Sequence, residues 1–260
     1  MAKNEVSIDK KVYLYLDTVT NSVISRGITF PEFIDGIGKK RLPSALLLLD
    51  KKYDTVNYNQ HTNFGFIDDT EKMKQRAIVL EKQTQTFSWL DFEEIDMLNQ
   101  LTGQEIAEIL YLAHRGTHLR SPFYYKLQNE YAYLSLDEGE RTKVYYRDIT
   151  RFYDMIANVI TDRISVLIHK KTLFGKPRKK SIVGLPVTLL RSLKLLLKEG
   201  CVLSFDQLER TKTEIRLPIA NSDEENDENI TLDDNDNENE IVPKAWIVYS
   251  IKNNEWTFEY

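Results

Sequence analysis

Apolar and polar residues alternate from Lys11 to Leu16, with Val12, Leu14 and Leu16 on one face and Tyr13 and Tyr15 on the other. A period of two predicts a half-buried strand. Asn21-Ser22 punctuates it, and 23–28 reads as a returning strand. Thr29 then has the position of an N-cap, with Pro31 and Glu32 in the first turn of a short helix stopped by Gly36 and Gly38. The run 42–49 is apolar on all sides, which suits a buried strand or helix turn, and 70–86 reads as a charged linking helix. Beyond Phe87 the period becomes helical. Ser88 is placed to cap a helix carrying Phe92, Ile95 and Leu98. Thr102 and Glu105 have capping-box spacing, flanked by the staple pair Leu101 and Ile106, ahead of the stripe Ile106, Ile109, Leu110 and Ala113. Pro122 ends any continuation, and the aromatic run 123–134 fits strand or helix. From Asp148 a second helix presents Ile149, Phe152, Tyr153, Ile156, Ile160, Ile164 and Leu167 on one face, with Arg147, Arg151, Asp154 and Asn158 on the other. Pro186 and Gly200 bracket a third, with Arg191, Lys194 and Lys198 opposite its leucines. The segments 201–205, 214–218, 244–251 and 255–258 read as strands, the last two joined by a turn at 252–255.

These elements predict an α+β protein in three parts. Residues 1–86 form a small N-terminal α/β unit and linking helix, 87–200 a helical module with a basic loop, and 201–260 a C-terminal antiparallel β-sheet interrupted by a disordered acidic insertion at 222–240. That insertion holds ten Asp/Glu and no Lys or Arg, so the net charge of −5 conceals a remainder with 35 basic and 30 acidic residues, a net of +5. An asymmetry of this kind directs attention to nucleic acid. No apolar run reaches the ~18 residues of a membrane span, and the N-terminus lacks the apolar core of a signal peptide, which predicts a cytoplasmic protein without membrane contact. The single cysteine, Cys201, excludes an internal disulfide and reads as a core residue.

Catalytic patterns fail on spacing. The run His114-Arg-Gly-Thr-His-Leu-Arg120 with Tyr260 invites comparison with phosphoryl transfer by a tyrosine nucleophile, but His118-Leu-Arg120 lacks the His-x-x-Arg spacing that this chemistry uses. His114 and His118 stand four apart, a metal-binding spacing on a helix, yet Gly116 interrupts the helix between them and no carboxylate joins them. The ten glycines form no phosphate loop. No catalytic group, cofactor or metal is therefore expected. The basic pattern is stronger: Lys170, Lys171, Lys176, Arg178, Lys179 and Lys180 form a cationic loop, which Arg147, Arg151, Arg191 and Lys194 would extend. Such a surface would bind duplex DNA by neutralising phosphates, with strong salt dependence; a solvated loop that aids solubility is the plain alternative. The tyrosines between Tyr124 and Tyr146 would serve either as stacking platforms for bases or as a core rim.

The segments Phe87-Ser-Trp-Leu90, Leu101-Thr-Gly-Gln-Glu-Ile-Ala-Glu-Ile-Leu-Tyr-Leu-Ala113 and Tyr146-Arg-Asp-Ile-Thr-Arg-Phe-Tyr-Asp154 resemble winged-helix replication and transcription regulators of phages and plasmids of low-GC Gram-positive bacteria. The resemblance implies a winged-helix-like centre, with 145–158 approaching DNA. The expected function is non-catalytic DNA binding in phage or plasmid transcription or replication control. The alternative is a protein-interaction factor, a phage protein that binds a host enzyme or a subunit of a larger nucleoprotein assembly, making contact through the C-terminal sheet and the acidic segment.

Overall fold

The computed structural model describes residues 10–38, 42–49, 56–81, 87–169, 182–222 and 242–260. Its strands are β1 (Lys11–Asp17), β2 (Ser22–Arg26), β3 (Ala45–Leu48), β4 (Asn57–Tyr58), β5 (Gly65–Ile67), β6 (Trp89–Phe92), β7 (Tyr131–Leu136), β8 (Arg141–Tyr146), β9 (Cys201–Ser204), β10 (Glu209–Arg210), β11 (Glu214–Asn221), β12 (Ala245–Ser250) and β13 (Glu255–Glu259). Its helices are α1 (Phe30–Gly36), α2 (Thr70–Glu81), α3 (Gly103–Arg115), α4 (Thr150–His169), α5 (Val187–Ser192) and α6 (Lys194–Glu199). All strands join one antiparallel sheet in the order β13-β12-β11-β9-β1-β2-β8-β7-β6-β3-β5-β4, with β10 paired to β11. The sheet crosses both of the expected part boundaries, because β6 pairs with β3 and β9 pairs with β1.

This overturns the expected helical, winged-helix-like centre. The stretch 87–92 is a central strand rather than a capped helix: Trp89 faces one core, Leu90 and Phe92 the other. A strand buried on both faces is apolar throughout and loses the alternation that would have distinguished it from a helix. The Ser88 hydroxyl caps no helix and instead accepts the backbone N–H of Ser135 at 3.0 Å. The aromatic run ends in the hairpin β7–β8, whose turn holds Asp137, Glu138 and Gly139 at positive φ. The capping box predicted for α3 is formed, with both Thr102 and Glu105 bonded reciprocally, and so is the corresponding one of Thr29 and Glu32 on α1.

One face of the sheet carries α1, α4, α5 and α6 over a large core that includes Leu14, Trp89, Tyr133, Phe152, Ile160, Leu197 and Ile247. Among the described residues, the helical cover of the opposite face lies over β3, β6, β7 and β8, where Ile109 and Leu112 of α3 bury Leu47, Leu90, Ala132, Leu134 and Tyr145. Beside this, Asp91 is buried where the backbone pairing of β6 and β7 ends; its carboxylate accepts the N–H groups of Glu130 (2.9 and 3.0 Å) and Tyr131 (2.7 Å). Burial pushes its pKa up to about 7 against these hydrogen bonds. A folded-state pKa above the unfolded one means that the stabilisation is complete below the unfolded value near 4 and is lost as pH rises through about 7. Asp91→Asn mimics the protonated group, so the melting-temperature difference between wild type and Asp91→Asn is expected to shift against the wild type between pH 4 and pH 8. A pH-independent difference in calorimetry would refute this.

The sheet has an internal two-fold relationship. Five strands of the main path lie on each side of the β2–β8 pair. Tyr13 pairs with Arg26 across the first hairpin as Ala132 pairs with Tyr145 across the second, a constant offset of 119 residues. At that offset Thr29, which caps α1, coincides with Asp148, whose side chain accepts the N–H of Thr150 at the start of α4, and Phe33, Asp35 and Ile37 meet the identical residues Phe152, Asp154 and Ile156. Mates also meet each other on the axis. Ile24 pairs directly with its own mate Lys143, and on the helical side a Cβ on Gly36 would lie 3.0 Å from its mate Met155. A residue opposite its own equivalent is the signature of an isologous two-fold contact, here within one chain.

Candidate functional site

The residues expected to contact DNA are not gathered into one surface among the described residues. Arg147 donates from Nε to the Asn129 carbonyl at 2.8 Å, lies 3.8 Å from the Glu130 carboxylate and covers the Phe123 ring. Arg151 bonds the other Glu130 oxygen at 2.8 Å and covers Tyr131. A phosphate would have to compete with Glu130 for both. Arg191 and Lys194 are exposed on α5 and α6. Lys170, Lys171, Lys176, Arg178, Lys179 and Lys180 lie outside the described residues, and so does the acidic stretch beyond Ser222. Since α4 has 20 residues and spans about 30 Å, Arg151 and His169 sit at its opposite ends. The anchors of the basic and acidic stretches are also apart. Val183 bonds Asn254 and Trp256 at the β12–β13 turn, whereas Ser222 bonds Gly200 at the other end of β11.

Thirteen Lys/Arg and fourteen Asp/Glu fall outside the described residues, leaving 22 and 26 within them. The described body is therefore net −4, opposite in sign to the remainder inferred from sequence. The tyrosines are mostly core: Tyr131, Tyr133, Tyr145 and Tyr146 are buried, while Tyr125 is exposed. His118 packs edge-on against Tyr145, and His114 is exposed. No group of three His, Cys, Asp or Glu side chains among the described residues could hold a metal ion. No described helix is long and apolar enough to cross a membrane.

The surface that sequence reasoning missed is the second face of β2, β1, β9, β11, β12 and β13, over which no described helix lies. Alternation along these strands places Tyr13, Tyr15, Ile24, Val202 and Trp246 there, all half-buried, with Pro218, Ala220 and Val248 filling the floor between them. None of these eight belongs to either core cluster. Charged groups rim the face. Arg216 lies over the Trp246 ring at 5.0 Å and bonds Glu259 at 2.8 Å, while Asp17 is held in its own turn by Val19 and Thr20. Lys143 stands near Asp17, and Lys11 and Arg26 lie toward the other end of β1. An apolar, aromatic centre with a charged rim is the composition of a protein contact surface. The alternation at 11–16 predicted which residues share a face, but not that no described helix would lie over the face with Tyr13 and Tyr15. No family model, curated protein or solved structure gives a significant match to the chain.

Proposed function

We propose that this protein is a non-catalytic interaction protein that receives a protein partner on the open face of β1, β2, β9, β11 and β12. What supports the reading is one observation: a contiguous half-sheet whose aromatic and aliphatic side chains are partly exposed while the other half of the same face is sealed by α3. Leaving such a surface in water forgoes roughly 25 cal/mol for each Å² of apolar area, which a partner would recover. The near balance of acidic and basic groups on the rim and the net −4 of the described body favour a protein over a polyanion.

The reading is tested by placing a photo-crosslinking benzoylphenylalanine at Tyr15, and as a control at Tyr111 on the outer side of α3, in lysate of the source cell with and without nuclease. Nuclease-resistant protein adducts specific to position 15 are expected. Adducts equal at both positions, or adducts to nucleic acid alone, would overturn it. A second reading, salt-dependent duplex DNA binding, draws on the six Lys/Arg between Lys170 and Lys180 together with exposed Arg191 and Lys194. Charge reversal at Lys176, Arg178, Lys179 and Lys180 separates the two: DNA affinity falls under the second reading, and crosslinking at Tyr15 is unaffected under the first.

A further inference from the structure

Charge divides the open face into two unlike halves. By strand register, the half on β9 to β13 carries Glu209, Glu214, Glu255 and Glu259 against Arg216 and Lys244, four acids to two bases and a net of −2. The half on β1, β2 and β8 carries Lys11, Arg26 and Lys143 against Asp17, three bases to one acid and a net of +2. Beside it, Arg141 and Asp137 pair with each other and add nothing. Arg216 is shared between Glu209 and Glu259, and Lys143 stands near Asp17. The surplus is therefore carried by Glu214 and Glu255 in one half and by Lys11 and Arg26 in the other. Val202, Ala220 and Pro218 form the uncharged ground between Trp246 and Tyr13.

From this division we propose that the partner of the open face is a second copy of this chain. The two copies pack face to face about a two-fold axis lying in the plane of the contact, so that the acidic half of each sits on the basic half of the other. The inference rests on the reading of this face as a protein contact and names its partner. A partner of one charge sign would be attracted by one half and repelled by the other. A second copy is complementary to both halves at once, because an isologous contact brings residue i to residue j and j to i. Shape agrees with charge. Two sheets pack about 10 Å apart, and a helix seated on a sheet adds a layer of about 10 Å. The helix α3 on the sealed half therefore stands about as high as a second sheet on the open half, and the partner's strands fit beside it. The six strands from β13 to β2 are spaced about 4.8 Å apart and run about six residues, which gives roughly 600 Å² per copy. A total near 1,200 Å² is at the lower limit for a specific interface, so the dimer is weak and reversible.

The test is sedimentation equilibrium of the purified full chain. A reversible monomer–dimer equilibrium is expected, with a Kd on the order of 10 μM that rises with salt. The acidic half is reversed by Glu214→Lys with Glu255→Lys, and the basic half by Lys11→Glu with Lys143→Glu. Each double variant alone should dimerise at least about tenfold more weakly, because like charges then meet on both sides of the axis. An equal mixture of the two should dimerise like the wild type, since every contact is again between opposite charges. Circular dichroism verifies that the variants are folded. The single variants Glu255→Lys and Lys11→Glu, both at exposed positions, carry the same test with smaller effects. Tyr111→Lys on the outer side of α3 should change nothing. The proposal is overturned by a chain that stays monomeric, by a dimer indifferent to the charge variants, or by a mixture that fails to restore association. Benzoylphenylalanine at Tyr15 in the purified chain distinguishes the two levels of failure. Protein adducts that form in lysate but not between purified copies would remove this inference and leave the interaction reading standing; absence of both would remove the two together.

Discussion

Trp89→Ala is expected to lower the melting temperature by roughly 10 °C, from a loss of about 4 kcal/mol. The indole is fully buried in β6 and stacked on Tyr133 with ring centroids 5.3 Å apart and planes 6° from parallel. Phe30, Phe33 and Tyr131 meet it edge-on at 5.9, 6.0 and 6.3 Å. Truncation would leave a cavity beneath α1, at the junction of the N-terminal helix with the second hairpin. The indole N–H has no hydrogen-bond partner among the described residues, so its contribution is packing. Trp89→Phe should therefore cost much less, about 1–2 kcal/mol. Denaturant melts of the three proteins measure this directly; equal losses for Ala and Phe would show that the N–H, not the ring, matters.

The second large effect concerns Arg163. It is buried on α4, donates to both Glu32 oxygens at 2.7 and 2.8 Å and to the Gly27 carbonyl at 2.6 Å, and lies 4.9 Å over the Phe205 ring. One guanidinium thus joins the end of β2, the first turn of α1, α4 and the residue after β9. Removing one member of a buried pair costs about 3–5 kcal/mol because the other charge is stranded. Glu32 is a quarter exposed, which allows water to reach it and places Arg163→Met near the lower figure, about 3 kcal/mol. Glu32→Gln preserves the capping box while removing the stranded charge. In a double-mutant cycle, the Arg163→Met, Glu32→Gln pair should accordingly be less destabilised than the sum of its singles. Strict additivity in urea melts would rule out the coupling.

The repeat at an offset of 119 residues was present in the sequence as Phe33-x-Asp35-x-Ile37 and Phe152-x-Asp154-x-Ile156. Three matching residues in a helical stripe are too few to distinguish duplication from the ordinary recurrence of apolar positions. Strand register supplied the rest, because it fixes the offset independently of residue identity. The same limit explains the error at the centre of the chain. For 87–92, sidedness disappears when both sides are buried, so the residues fit either period. Where one side meets water or a cap requires a named side chain, as at 11–16, Thr29 and Thr102, the local reading and the structure agree.

The sequence by itself determined the hairpin at the start, the capped helices α1 and α3, the long amphipathic α4, the strands near the C-terminus and the partition of charge between a basic and an acidic stretch. These follow from interactions within a few residues of each other. Only the tertiary structure decided that the strands form one sheet with a two-fold centre at Ile24 and Lys143, that Arg147 and Arg151 are held by Glu130, and that α3 seals one half of a face while no described helix lies over the other half. Those outcomes depend on pairings over a hundred residues apart, such as Ser25 with Thr142. No local periodicity encodes which strand will become a neighbour or which apolar face will find a cover.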